Sequence, residues 1–398
     1  MRRSFLVSAC LSAGVLLFSP TLIAQTHPFE NVPVSKAALP DNVELNEEWV
    51  TGLSHPWGMD FLPDGRYVVT ERSGTLKVIE EEGEEVSEAS GLPPIYASRQ
   101  GGLLDVLVHP DWSMNGLIFL TFSEGDSRSN HTAVYRAKLV RNTDGWTLED
   151  GKVIYRQTPS FSGGLHFGAR LALDEDGGLY VSLGERSNHA EYAQNTESSL
   201  GKILKLTIEG QPFSGNPYRG KVGILPEIWS LGHRNPQGLE WNPELKQLWS
   251  VEHGPKGGDE LNLIEPGENY GWPLYTYGRR YSGGKIGEPD SPPNFAAPSY
   301  VWVPSLSPAG LAWYQHDSIP AWKDQLLIAT LNGKALIALE FDGKKVVREQ
   351  RYLSDLDLRF RQVKVGKQGD IFLLVDDSKG KIMRLSAKLP PLSPVAPR

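Results

Sequence analysis

A histidine framed by glycines, Gly163-Gly164-Leu165-His166-Phe167-Gly168-Ala169-Arg170, is the first segment of the chain equipped for chemistry. Glycine on both sides leaves room for a ligand to approach the imidazole closely. An imidazole titrates near working pH, which makes His166 a candidate general base. A second segment, Gly232-His233-Arg234-Asn235-Pro236-Gln237-Gly238, sets a forked cationic donor beside an amide, a pairing suited to a carboxylate-bearing ligand. It is followed by His253-Gly254-Pro255-Lys256-Gly257-Gly258-Asp259-Glu260 and by Glu268-Asn269-Tyr270-Gly271-Trp272-Pro273. Gly and Pro can offer backbone carbonyls, and with Glu260 these are the hard oxygen ligands that calcium requires. No cysteine or close histidine pair points to zinc instead. The third segment, Arg359-Phe360-Arg361, spaces two arginines at i and i+2, which in a strand face the same side. Taken singly, each segment also reads as ordinary structure: a packed histidine, a set of tight turns, a solvated arginine pair.

Residues this far apart need a repeated scaffold to bring them together, and the body of the chain supplies one. An apolar strand, a tight turn with Asp-Gly or its like, and a second apolar strand recur along it. Four copies are anchored by Gly58, Asp64, Gly65 and Glu71; by Asp176, Gly177 and Glu185; by Gly238, Asn242, Pro243 and Glu252; and by Val363, Gly369, Asp370 and Asp376. Residues 102–122 and 310–341 complete a set of six. Units of about 55–60 residues with several short strands and almost no helical periodicity predict an all-β, six-bladed β-propeller, with a large β-sandwich as the rival architecture. In a propeller, loops from every blade converge at one end of a central channel. The connection 267–308, rich in Gly, Pro, Tyr and Trp, is too long for a simple turn and is expected to cover that mouth.

Composition narrows the function classes. Of the 398 residues, 39% are hydrophobic and 22% charged, as in an ordinary globular protein, and the formal charge of −8 gives no support for a nucleic-acid partner. Residues 1–24 read as a secretory signal peptide: Arg2 and Arg3 precede an apolar run broken by Ser8, Ser12, Gly14, Ser19 and Pro20, and Ala24 offers a small residue for cleavage. The mature protein is then expected to be periplasmic or secreted, without membrane insertion. Cleavage removes Cys10, the sole cysteine, so rigidity must come from core, repeats or bound metal rather than disulfides. A lead-in, 25–46, is expected before the propeller at 47–388, and a proline-rich tail, 389–398, after it.

The runs His-Phe-Gly-Ala-Arg, Gly-His-Arg-Asn-Pro-Gln-Gly, His-Gly-Pro-Lys-Gly-Gly-Asp-Glu and Asn-Tyr-Gly-Trp-Pro occur in the order of one family. From about Trp57 to Leu385 the chain resembles the soluble glucose and aldose sugar dehydrogenases that depend on pyrroloquinoline quinone (PQQ). Gln100-Gly101-Gly102-Leu103-Leu104 and His109-Pro110-Asp111 look like the same family. The resemblance implies oxidation of an aldose at its anomeric hydroxyl, with His166 as general base and with PQQ and calcium as cofactors. It implies that Arg234 and Asn235 hold PQQ, that Arg359 and Arg361 meet its carboxylates and quinone oxygens, that Gln100 borders PQQ and the sugar, and that Tyr281 touches the cofactor. The carbonyls of Gly254 and Pro255 look like ligands of a calcium that also binds PQQ, and Glu260 with the carbonyl of Tyr270 looks like an adjoining position. The preferred sugar, the electron acceptor and the choice between monomer and homodimer are left open.

Two departures from the family pattern stand out. Where the family carries a lysine in the fifth unit, this chain has Asn332, with Lys334 two positions on. Leu165 stands where the glucose dehydrogenases have an Asp, which implies broad aldose specificity because leucine offers no hydrogen bond to a sugar. The same fold class also serves calcium-dependent sugar lactonases and non-catalytic binding modules. A lactonase needs acidic and amide ligands converging on a central ion, and a binding module has no need to keep His166, Arg234, Arg359 and Arg361 together.

Overall fold

Short apolar segments punctuated by tight turns become strands throughout the computed structural model, which describes residues 29–83, 86–287 and 294–388. Among them helix is confined to Trp112–Asn115 and the 3-10 turns Ala190–Gln194 and Pro320–Trp322, so the fold is all-β. The expected signal peptide and proline-rich tail lie outside the described residues. No helix among the described residues is long and apolar enough to cross a membrane.

Two sheets are simple four-stranded meanders. One runs Gly168–Leu173, Leu179–Leu183, Lys202–Leu206, Ile228–Leu231, and the next runs Pro236–Asn242, Gln247–Glu252, Asp259–Ile264, Tyr300–Trp302. A third, from Pro308–Tyr314 to Lys345–Tyr352, gains Val34–Lys36 as a parallel outer strand. The eight-stranded sheet is a pair of such meanders, beginning at Pro56–Phe61 and Leu103–Val108, joined where Trp146 and Thr147 pair in parallel with Ala89 and Ser90. The last sheet holds Phe360–Val365, Ile371–Val375 and Gly380–Ala387, and takes its fourth strand, Val43–Leu53, from the other end of the described chain. That antiparallel pairing ties the two ends by main-chain hydrogen bonds, the closure a chain lacking disulfides needs. Val34–Lys36 and the start of Val43–Leu53 thus lie in the segment expected as lead-in. Their pairing depends on partners at 349–351 and 380–387, which no local pattern reveals.

Apolar faces of successive meanders pack on one another and divide the core between them. Met59 and Val69 meet Leu374 and Ile382; Leu107 and Phe119 meet Val181 and Leu204; Ala312 and Leu327 meet Val363 and Leu373. The first strands of successive runs are neighbours in order, and Phe360–Val365 returns to Pro56–Phe61.

Each of the six first strands carries a β-bulge against its second strand, near its N-terminal end: at Trp57, at Leu104–Asp105, at Ala169–Arg170, at Gln237, at Ala309 and at Arg361. A bulge inserts an unpaired residue and re-aims its side chain. Four of these residues, Trp57, Leu104, Gln237 and Arg361, line one cavity. Beneath it Arg170 bonds Asp105 at 2.7 Å and donates to the carbonyls of Gln237 and Arg361, locking several strands together from one buried cation.

Candidate active site

A cavity of about 720 Å³ opens where the loops entering the first strands converge. His166 lies two residues before Gly168–Leu173, Arg234 and Asn235 directly before Pro236–Asn242, and Arg359 directly before Phe360–Val365; all four line the cavity. Arg279, Tyr281, Gly283 and Val303 to Ser305 from the long 267–308 connection line it too.

His166 takes a left-handed backbone, φ 52°, which is uncommon outside glycine and is held here by its surroundings. Its N–H donates to Gln100 Oε1 at 2.8 Å, and Nδ1 lies 2.7 Å from Glu185 Oε1. A carboxylate only accepts, so the shared proton belongs to Nδ1 and Nε2 is left as the basic nitrogen. Burial lowers the pKa of His166 below the ordinary value, outweighing the opposing influence of Glu185, so the imidazole is neutral near pH 7. Arg186 staples the loop that carries it, donating to the carbonyls of Leu165 and Gly163 and to Asn130, with its guanidinium over the Phe167 ring at 4.0 Å. A second histidine, His253, also lines the cavity. Its ring faces the Pro308 carbonyl at 3.0 Å, and burial, with Arg361 and Arg234 nearby, pushes its pKa down to about 3, which makes it a poor proton acceptor.

The cationic residues are held in place by backbone and acid. Arg234, 6% exposed, donates to the carbonyls of His253 and Gly254 at 2.8 and 2.9 Å and lies over Trp272. Asn235 spends its side-chain oxygen on Gly168 N and Gln237. Arg361, also 6% exposed, donates to Gln237 Oε1 and to Asp376, each at 3.0 Å, while its buried Nε has no partner among the described residues. Asp376 further meets His55 at 2.9 Å and Arg359 at 3.4 Å. Burial alone would raise its pKa, but Arg361 and its other partners hold it well below the usual carboxylate range. Arg359 and Arg361 do converge, though by a route other than strand alternation: Arg359 precedes the strand and Arg361 occupies its bulge.

Asn332 lines the cavity and accepts from Arg359 at 3.1 Å, whereas Lys334 pairs with Asp357 at 2.6 Å and does not line it. Tyr281 is a rim residue, 74% exposed. Leu165 is not part of the lining, and its carbonyl accepts from Arg186 Nε at 3.1 Å.

The expected metal ligands fall in two adjoining places. Gly254 and Pro255 line the main cavity, while Gly254, Glu252, Glu260 and Tyr270 border a neighbouring hollow of about 10 Å³. Glu260 and Glu252 face each other across Asn262, whose amide donates to both. Glu252 also accepts from Arg234 N and His233, but the Glu260 carboxyl has only that one long hydrogen bond among the described residues; burial and then Glu252 drive its pKa well above the usual value. Among the described residues no group of three or more His, Cys, Asp or Glu is arranged to hold a metal, so a cation here needs carbonyl oxygens as well.

Sequence reasoning missed Glu185 and Asp376 as site residues, although both had appeared as repeat anchors. In the folded chain those anchors behave alike, because each acid at or just after the end of a second strand reaches back to the loop entering its own unit. Glu71 accepts from Ser54 N, Glu185 from His166, Glu252 from Arg234 N, and Asp376 from both Arg359 and Arg361. Gln237 and Trp57 were missed because only bulges turn them inward.

This arrangement combines a neutral, oriented base with a cationic cradle. A family model of glucose/sorbosone dehydrogenases matches residues 53–384. The chain is 38% identical over 353 residues to the aldose sugar dehydrogenase YliI of Escherichia coli, covering 87% of this chain and 93% of that one. It is 31% identical over 293 residues to quinoprotein glucose dehydrogenase B of Acinetobacter calcoaceticus, covering 66% and 60%. The solved soluble aldose sugar dehydrogenase of Escherichia coli in its apo form superposes with a TM-score of 0.82 over 87% of this chain and 100% of that one, at 38% identity. A PQQ-bound aldose sugar dehydrogenase of Streptomyces coelicolor superposes with a TM-score of 0.72 over 88% and 99%, at 26% identity.

Proposed function

Since the chain belongs to the glucose/sorbosone dehydrogenase family, we propose that it is a PQQ-dependent dehydrogenase that oxidises aldoses at the anomeric hydroxyl to the lactone. The observation that carries this reading is His166, neutral and oriented by Glu185 on the wall of a cavity whose charged lining residues, among those described, are six cations and the single acid Asp376. The six meanders, whose first strands succeed one another and return to the start, support a six-bladed propeller with the site at the mouth of its channel.

The donor set fits PQQ, which bears three carboxylates. Arg234, Arg359 and Arg361 line the cavity, and the Nε of Arg361 is buried without a partner among the described residues. When bound, PQQ would supply the ortho-quinone that accepts the hydride. His166 Nε2 takes the proton of the anomeric hydroxyl, Glu185 steadies the imidazolium so formed, and Gln100 fixes the backbone of the base. Asp376 holds Arg359 and Arg361 in one orientation, which lowers the cost of ordering them around the cofactor.

Calcium fits two adjoining positions. The Gly254 and Pro255 carbonyls on the cavity wall would hold an ion that acts as a Lewis acid beside the cofactor, and the Tyr270 carbonyl with the nearly unpartnered Glu260 would hold the adjoining position. Export to the periplasm or beyond, guided by residues 1–24, completes the reading.

The test is reconstitution. Metal-free apoprotein given PQQ and calcium should reduce an artificial dye only when an aldose is present, and nicotinamide cofactors should not substitute. Robust turnover with NAD after verified removal of PQQ would sink the assignment.

A further inference from the structure

The cavity carries more positive charge than a tricarboxylate cofactor can use. Among the described residues six cations line it, Arg72, Arg234, Lys256, Arg279, Arg359 and Arg361, against one carboxylate, Asp376. Asp376 is already shared by Arg361, Arg359 and, at 4.0 Å, Arg72. Lys256 and Arg279 have no side-chain hydrogen bond or ion pair among the described residues, and both are exposed, in contrast to Arg234 and Arg361. Yet they are not loosely placed. They face each other across an antiparallel bridge, with Lys256 N donating to Arg279 O at 3.1 Å. Glycines make that crossing tight: a Cβ on Gly278 would come within 2.5 Å of the Pro255 ring, and one on Gly258 within 2.4 Å of Gly278 N. Like charges set directly opposite one another repel. Keeping two of them on a rigid cavity wall, in a chain of formal charge −8, makes sense if an anion arrives there.

Resting on the PQQ reading above, we propose that Lys256 and Arg279 form a reception site for a negative charge on the substrate, so that this enzyme prefers anionic aldoses. The buried Arg234 and Arg361, with Arg359, serve the cofactor, which enters first and lies deeper. The exposed pair is left for the group that enters last. The ligand class is an aldose bearing a carboxylate or a phosphate away from its anomeric carbon.

The experiment uses calcium-loaded, PQQ-reconstituted enzyme with a cationic phenazinium dye as acceptor. It compares kcat/KM for glucose and galactose with their uronic acids, with glucose 6-phosphate and with glucosamine. At low ionic strength the anionic sugars should be favoured over the neutral parents by roughly fivefold to twentyfold, and glucosamine disfavoured, with the preference collapsing at high salt. The uronate and phosphate arms tell the two sources of charge apart; preference for either supports the proposal. Lys256→Gln with Arg279→Gln should abolish the preference while glucose turnover and PQQ affinity stay within about twofold. If glucose is oxidised but anionic sugars gain nothing, this inference falls and the PQQ reading stands; if no aldose is oxidised, that reading falls first. A loss of PQQ affinity in the double variant would make the pair a cofactor clamp and overturn the proposal. So would an unchanged sugar preference accompanied by a raised KM for an anionic acceptor such as ferricyanide.

Discussion

Glu185 accepts a hydrogen bond of 2.7 Å from Nδ1 of His166; it has no exposed surface, and its other oxygen, Oε2, is buried without a hydrogen-bond partner among the described residues. The bond joins the end of one strand to the loop entering its neighbour and leaves Nε2 as the basic imidazole nitrogen. Because burial disfavours the imidazolium, a buried carboxylate behind the ring is what allows a proton to be taken up transiently.

Base and cofactor clamp should separate by mutation. His166→Ala is expected to lower kcat by roughly 10²- to 10⁴-fold with PQQ affinity nearly intact, the usual range for loss of a general base. Arg234→Ala should weaken PQQ binding and be rescued in part by excess PQQ, because a charge-assisted pair to a carboxylate is lost. PQQ titrations at saturating calcium and sugar check both. Full recovery of His166→Ala by added PQQ would make it a cofactor ligand instead.

The pH profile follows from the sign of the His166 shift. The base acts unprotonated and its pKa lies below 6.5, so kcat/KM should hold as pH falls to that value and decline only beneath it. Glu185 raises the pKa of His166, so Glu185→Gln should move the acid limb further down while cutting the plateau by about 10²- to 10⁴-fold through loss of ring orientation. A limb that stays put or moves up in the variant would contradict the orientation assigned to Glu185.

In the fifth meander the structure separates two candidates. Lys334→Ala should leave PQQ affinity unchanged, since its ammonium is engaged by Asp357 away from the cavity. Asn332→Lys should tighten PQQ binding several-fold at low salt, because position 332 lines the cavity beside Arg359. Equilibrium titration of the two variants distinguishes them. Weaker PQQ binding in Lys334→Ala would reverse the assignment.

Calcium should stabilise the protein through Glu260. At free calcium a hundredfold above its dissociation constant the gain is about 2.7 kcal/mol, or roughly 3–4 °C in Tm for a chain of this size. Glu260→Gln should lose most of that gain. Without calcium it should melt no earlier than the wild type, since it relieves repulsion between Glu260 and Glu252. Calorimetry with chelator and with calcium measures both effects, and an equal calcium shift in the variant would place the ion elsewhere.

The sequence alone determined the all-β class, the repeated strand-turn-strand units and the segments around His166, Arg234, Gly254 and Arg359. These depend on local pattern: apolar runs, turn residues that set φ, and short motifs whose residue types imply chemistry. Only the tertiary structure could decide what those residues do to one another. Glu185, Asp376 and Gln237 look like turn or strand residues in the chain, and become site residues because bulges and strand ends bring them together. Asn332 and Lys334 are equivalent in sequence, and are told apart by which one lines the cavity. The recruitment of Val34–Lys36 and Val43–Leu53 was equally hidden, since a strand's partner is chosen by distant residues. Burial, proximity and charge pairing are properties of the folded assembly, and a linear pattern can nominate residues for them without fixing which are realised.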